Sequence, residues 1–105
     1  MIYSITDNLI IEKVRANYNH TKILYETLKK RKKNYKISHK NLPTFKKHQD
    51  FVKNNPYRVW FLVFENKECI GTLYLSKMNE VGVFLIKNEG VSKDLIEFIK
   101  KNIGP

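Results

Sequence analysis

The chain of 105 residues has one cysteine, three prolines and four glycines. A lone Cys69 forbids an internal disulfide, so a cytoplasmic home is the default expectation. Three scattered histidines (His20, His39 and His48) and one thiol give no metal-ligand spacing, which predicts no metal site. No apolar run approaches the roughly 18 residues needed to cross a membrane, and Met1–Asp7 lacks the basic and apolar regions of a signal peptide. Proline, glycine and serine are too sparse for a linker, and there is neither an internal repeat nor a low-complexity tract. At this length a single domain over residues 1–105 is expected.

Acidic residues are also scarce. Ten Asp and Glu face twenty Lys and Arg, for a formal net charge of +10. Residues 1–58 hold 14 basic against 4 acidic side chains, whereas residues 59–105 hold 6 against 6. Attraction to an anion is one reading: a nucleic acid, a phosphorylated cofactor or a nucleotide-linked substrate. Lysine accumulation on solvated faces is the other, since 17 Lys stand beside only 3 Arg and so lack the bidentate forks of phosphate and base recognition. Tyr3, Tyr18, Tyr25 and Tyr35 interleave with lysines as a nucleic-acid face would. No helix-turn-helix, RNP-like or zinc-knuckle motif accompanies them, which argues against nucleic acid as the primary partner.

What is present is a globular composition, 42% hydrophobic with twelve Phe and Tyr, sufficient for one modest core. Asn8–Val14 reads as a first strand. Asn19 is a candidate N-cap for a helix running to about Lys33, with Ile23, Leu24, Thr27 and Leu28 on one side. Its Lys29–Lys33 tail suits the negative end of a helix dipole. Residues 34–43 read as loop. Thr44 then caps a second helix from Phe45 to about Lys53, with Phe45, Phe51 and Val52 as core residues, stopped by Asn54-Asn55-Pro56.

Three strands follow at short intervals: Arg58–Phe64, Cys69–Leu75 and Glu80–Ile86, joined by Glu65–Glu68 and Ser76–Asn79. Two short loops between three strands predict an antiparallel meander. Val91, Leu95, Phe98, Ile99 and Ile103 fall at helical spacing, so an amphipathic helix closes the chain. The expected order is β-α-α-β-β-β-α, an α/β (α+β) fold with a mostly antiparallel sheet of about four strands. His48 is spaced to border the core, and Cys69 to pack within a strand. Ser38-His39 has no partner acid at a diagnostic spacing.

Over residues 8–103 this ordered set resembles the GNAT superfamily of N-acetyltransferases. The meander segments Trp60–Val63, Ile70–Leu75 and Asn79–Leu85 carry most of the likeness, with Asn55-Pro56-Tyr57-Arg58 leading into them. The resemblance implies acetyl-CoA lying along the family's fourth strand, here Val81, Gly82, Val83, Phe84 and Leu85. A strand backbone N–H would polarise the acetyl carbonyl. Lys87, Gly90, Ser92 and Lys93 would hold the pyrophosphate, with Ser92 as a possible N-cap donor at the next helix. Glu80 would be the general base, and His48, Tyr57 and Arg58 would line the acceptor side. The implied acceptor is a small amine, for instance an amino sugar carried on a nucleotide.

Lys87–Lys93 departs from the family's Arg/Gln-x-x-Gly-x-Gly/Ala loop. One glycine, Gly90, remains for the positive-φ turn that loop needs. The family's next strand and helix do not follow before Pro105. The departures admit a GNAT-like binding or assembly module without catalysis, or a truncated relative whose site another copy completes. An exposed fourth strand further predicts a homodimer through that sheet edge.

Overall fold

A computed structural model describes residues 2–34 and 43–103 of the chain. Its elements are β1 (Ile2–Ser4), β2 (Leu9–Lys13), α1 (Tyr18–Asn34), α2 (Phe45–Lys53), β3 (Val59–Glu65), β4 (Glu68–Leu75) and β5 (Val81–Leu85). A single 3-10 turn (Glu89–Val91) and α3 (Ser92–Asn102) follow. Contacts divide the chain into two compact units, residues 15–55 and the remainder.

The larger unit is a five-stranded sheet in the order β1-β2-β3-β4-β5, antiparallel at every pairing. The expected α+β architecture is therefore present with one strand more than the sequence reading. The added β1 pairs Tyr3 with Ile11 on β2. Asn66 and Lys67 close the β3–β4 hairpin with φ of 51° and 69°. Positive φ at both turn residues matches the right-handed twist of the flanking strands. A bulge between Val63 and Phe64 makes Ile70 the extra residue of β4, and Ile70 is fully buried.

Strand alternation sends Leu9, Ile11, Phe61, Val63, Leu73, Leu75 and Leu85 to one face, where they form a core with Leu95 and Ile99 of α3. The Leu95–Ile99 spacing sets both side chains on one stripe of that helix, and both are fully buried. Phe98 and Tyr3 close the rim, their rings 5.2 Å apart. Ordinary area bookkeeping gives each fully buried Leu or Ile about 1.5–3 kcal/mol, so this seam dominates the unit's stability.

The smaller unit is the helical pair α1–α2. Asn17 rather than Asn19 caps α1: its Oδ1 accepts the His20 N–H at 2.8 Å. The cap lies two residues early because Tyr18 is already helical. The Arg15 N–H donates to His20 Nδ1 at 2.8 Å, so the approach to the helix is fixed as well. Thr44 caps α2 as expected, its hydroxyl accepting from the Lys47 N–H. Tyr25 joins the two helices, donating its hydroxyl to the Pro43 carbonyl at 2.7 Å and setting its ring edge-on to Phe45 at 5.3 Å. Val52 is buried and Phe45 half-buried, but Phe51 is 44% exposed and is no core residue. Of the loop expected over 34–43, residues 35–42 lie outside the described residues, and Ser38 and His39 with them.

Candidate functional site

β5 lies at an edge of the sheet, with β4 on one side and no strand on the other among the described residues. Register decides what that edge offers. The Ile86 N–H bonds the Ile70 carbonyl, and the Ser76 N–H bonds the Glu80 carbonyl. Hydrogen-bonded pairs alternate along an antiparallel ladder, so Gly82 and Phe84 turn their backbone groups toward β4. Val81 and Val83 turn theirs outward. The strand is held close by Gly71 opposite Leu85, where the lack of a side chain admits the Phe84 carbonyl.

Beyond β5, the chain enters α3 through residues 86–91. The left-handed residue of this loop is Asn88 (φ 53°, ψ 54°), and Gly90 has no positive φ. The expectation that Gly90 makes the positive-φ turn is thus corrected. Asparagine tolerates this region because its short amide bonds locally. A Cβ at Gly90 would meet nothing nearer than Asn88 Oδ1 at 3.8 Å, so its backbone is open to approach. Ser92 is not an N-cap either. Val91 occupies that position, and α3 has no side-chain cap. The 3-10 turn runs directly into the helix, so the Val91 N–H bonds the Asn88 carbonyl and the Ser92 N–H the Glu89 carbonyl, which leaves the positive end of the helix dipole rather than these amides for an outside anion.

Two carboxylates of the β3–β4 hairpin fasten this loop. Lys87 Nζ is 2.6 Å from Glu68 Oε1, with both side chains about half exposed. The Asn88 amide donates to Glu65. The family resemblance gives Lys87 to an anion, whereas nothing in the sequence marks Glu65, Glu68 or Asn88 as its neighbours. Partners 19 and 23 residues away leave no local signal. Lys93 is exposed on the first turn of α3.

At the other end of β5, Glu80 is exposed, and its backbone is pinned to Ser76. The Glu80 N–H donates to Ser76 Oγ at 3.0 Å, and the Ser76 N–H donates back to the Glu80 carbonyl. Arg58 is also exposed and donates to Asn79 Oδ1 at 2.6 Å, beside Glu80 in the same loop. Tyr57 stacks on Tyr74 with centroids 4.4 Å apart and meets Trp60 at 5.1 Å. Trp60 is 8% exposed and is the core member of this group. The Tyr74 ring lies directly over Gly82, filling the space a side chain there would need. Trp60, Tyr74 and Gly82 are cross-strand partners, so the row could be found from register but not from sequence spacing. Cys69 is half-buried, its thiol 3.6 Å from the Gly71 carbonyl.

His48 lies in the helical unit, 7% exposed, its ring 5.3 Å from Tyr25. Its Nε2 is buried without a hydrogen-bond partner among the described residues. Burial lowers its pKa below the ordinary 6.5. In the unfolded chain the imidazole takes a proton below about pH 6.5, while the folded chain resists it. Stability is therefore unaffected above that pH and falls as the pH drops toward the lowered folded value. Thermal unfolding between about pH 7.5 and 5 should show this loss, and His48→Leu should flatten it. An unchanged pH slope in His48→Leu would assign the dependence elsewhere.

Among the described residues no group of three or more His, Cys, Asp or Glu could hold a metal ion, and no helix is long and apolar enough to cross a membrane. No protein-family model matches the sequence, and no curated protein matches it. Two solved structures do match, each over 97% of this chain and 70% of its own. One is an acetyl transferase from Salmonella typhimurium that modifies the N-terminal serine of the 50S ribosomal subunit protein L7/L12, with a TM-score of 0.71 at 16% identity. The other is RimL, a ribosomal L7/L12 alpha-N-protein acetyltransferase in complex with coenzyme A, with a TM-score of 0.73 at 14% identity. At such identities the likeness is one of fold, and the fold of this chain is that of the GNAT acetyltransferases.

Proposed function

We propose that the chain binds acetyl-CoA along the open edge of β5 and transfers the acetyl group to an amine. The observation that carries this reading is the outward pair of backbone groups at Val81 and Val83, leading along one strand to a helix start without a side-chain cap. The residues present fit the cofactor. Edge amides suit a chain of pantetheine amides, and the open backbone at Gly90 with the positive end of the α3 dipole suits a pyrophosphate. Lys87, Ser92 and Lys93 would add polar contacts there. A phosphate would compete with Glu68 for Lys87. When bound, the cofactor supplies an acetyl thioester. An outward strand N–H would polarise its carbonyl.

A simple aliphatic amine has a pKa of about 10.4 and a polypeptide N-terminus one of about 7.7–8.0, so either is mostly protonated at neutral pH. Glu80 would take its proton, directly or through water, while the Ser76 bonds hold the Glu80 backbone in place. Tyr57 and Arg58 would flank the acceptor, Arg58 being held by Asn79. A nucleotide-linked amino sugar and a polypeptide N-terminus are the two candidate acceptor classes. The first follows the basic first half of the chain, and the second the activity named for both solved relatives. A second copy paired along β5 would compete with the cofactor for the same edge.

A catalytically silent binding module is the second reading, favoured by the Glu68–Lys87 and Glu65–Asn88 contacts that occupy the loop. Thiol release from acetyl-CoA, with amino sugars and peptides as acceptors, separates the two. Transfer should fall about 100-fold in Glu80→Gln, the scale of general-base catalysis, with acetyl-CoA affinity unchanged. Binding without transfer to any amine would favour the module.

A further inference from the structure

The net charge of the chain is confined to one of its two units. Residues 15–55 hold twelve Lys and Arg against Glu26 and Asp50, the whole net +10, whereas the sheet unit holds eight against eight. A general enrichment in lysine would fall on both units and would not strip carboxylates from one.

Helix stability does not account for the placement either. Lys29 and Lys30 near the end of α1 suit its dipole, but Lys46 and Lys47 stand in the first turn of α2, which has no acid. Cations at the positive end of a helix are unfavourable. All four are exposed. Tyr25 gathers the two helix ends: Lys29 Nζ lies 4.9 Å over its ring, and its edge meets Phe45, the residue before Lys46.

We infer that this lysine-bearing end of the helical unit binds the sugar–phosphate backbone of nucleic acid, independently of sequence. Ten of the twelve cations are Lys, whose ammonium groups meet phosphates as point charges without the forks that read base edges, so the contact they suit is to the backbone alone. Through Lys30 the exposed positions of α1 are Tyr18, Asn19, Lys22, Glu26, Lys29 and Lys30, and the single Tyr18 ring among them is not the continuous apolar face that a membrane-lying helix inserts. Backbone contact requires none of the base-reading motifs that the sequence lacks.

The test is fluorescence anisotropy of the full chain with a labelled duplex DNA of arbitrary sequence, across a range of sodium chloride concentrations. Binding at low salt should weaken steeply as salt rises. Lys46→Gln/Lys47→Gln should reduce the log–log salt slope by about 2 and weaken binding at low salt by about tenfold. The thermal midpoint of this variant should not fall, because it removes cations from the wrong end of a helix. Lys100→Gln/Lys101→Gln on α3 removes the same charge and should change little. No binding at low salt, equal weakening by both double variants, or displacement of the DNA by polyglutamate as effectively as by unlabelled DNA would overturn the inference.

Discussion

Gly71→Ala is expected to unfold the sheet at ordinary temperatures or bring it close to unfolding. The added Cβ would overlap the Phe84 carbonyl oxygen and come within 2.8 Å of Leu85 Cα. Both obstacles are backbone, so no rotamer change relieves them, and β5 must separate from β4. Overpacking of this kind costs about 3 kcal/mol or more, a drop of about 12–24 °C in thermal midpoint for a domain of this size. Two other glycines are internal controls. At Gly82 the obstacle is the Tyr74 ring, which can rotate, and at Gly90 there is open space. The expected order of melting temperatures by circular dichroism is therefore Gly90→Ala above Gly82→Ala above Gly71→Ala. A wild-type midpoint in Gly71→Ala would mean that β4 and β5 are not packed as described.

Proline substitution along β5 should separate function from folding. Val83 sits in a non-hydrogen-bonded pair with Leu73, and its N–H points to the open edge. Val83→Pro removes a donor that the sheet does not use, and edge strands accept proline with that orientation. The chain should fold with a loss of about 1–2 kcal/mol from the constrained φ, yet lose acetyl-CoA affinity by tenfold or more. Phe84→Pro removes a donor directed at β4 and should disrupt the ladder itself, costing about 3 kcal/mol. Equal loss of stability in both variants would mean that the parity of the strand is wrong. A folded Val83→Pro that binds acetyl-CoA like wild type would remove the strand edge from the site.

Much of this arrangement was legible in the sequence, for identifiable reasons. Trp60–Phe64 and Ile70–Leu75 are dense in β-branched and aromatic residues between short polar turns, so the meander showed directly. Thr44 announced its helix because a hydroxyl before an amphipathic run is a local cap. Other features are set by distant parts of the chain. β1 spans three residues, too few to display alternation, and gains its identity only from pairing with β2. Asn17 and Asn19 are equally good caps by type, and the choice between them belongs to the His20 contacts. In the loop after β5, glycine was the natural candidate for a left-handed residue, but Asn88 takes it and ties its amide to Glu65. The outward parity of Val81 and Val83 follows from register with β4, which hydrophobicity alone does not fix when both faces of a strand are apolar.

The most direct test of the account is a calorimetric titration of the purified chain with acetyl-CoA, run beside Val83→Pro. Saturable one-to-one binding to the wild type, lost in the folded variant, is the expected result. No binding by the wild type up to millimolar acetyl-CoA would contradict the account, leaving a GNAT fold in this chain without its cofactor chemistry.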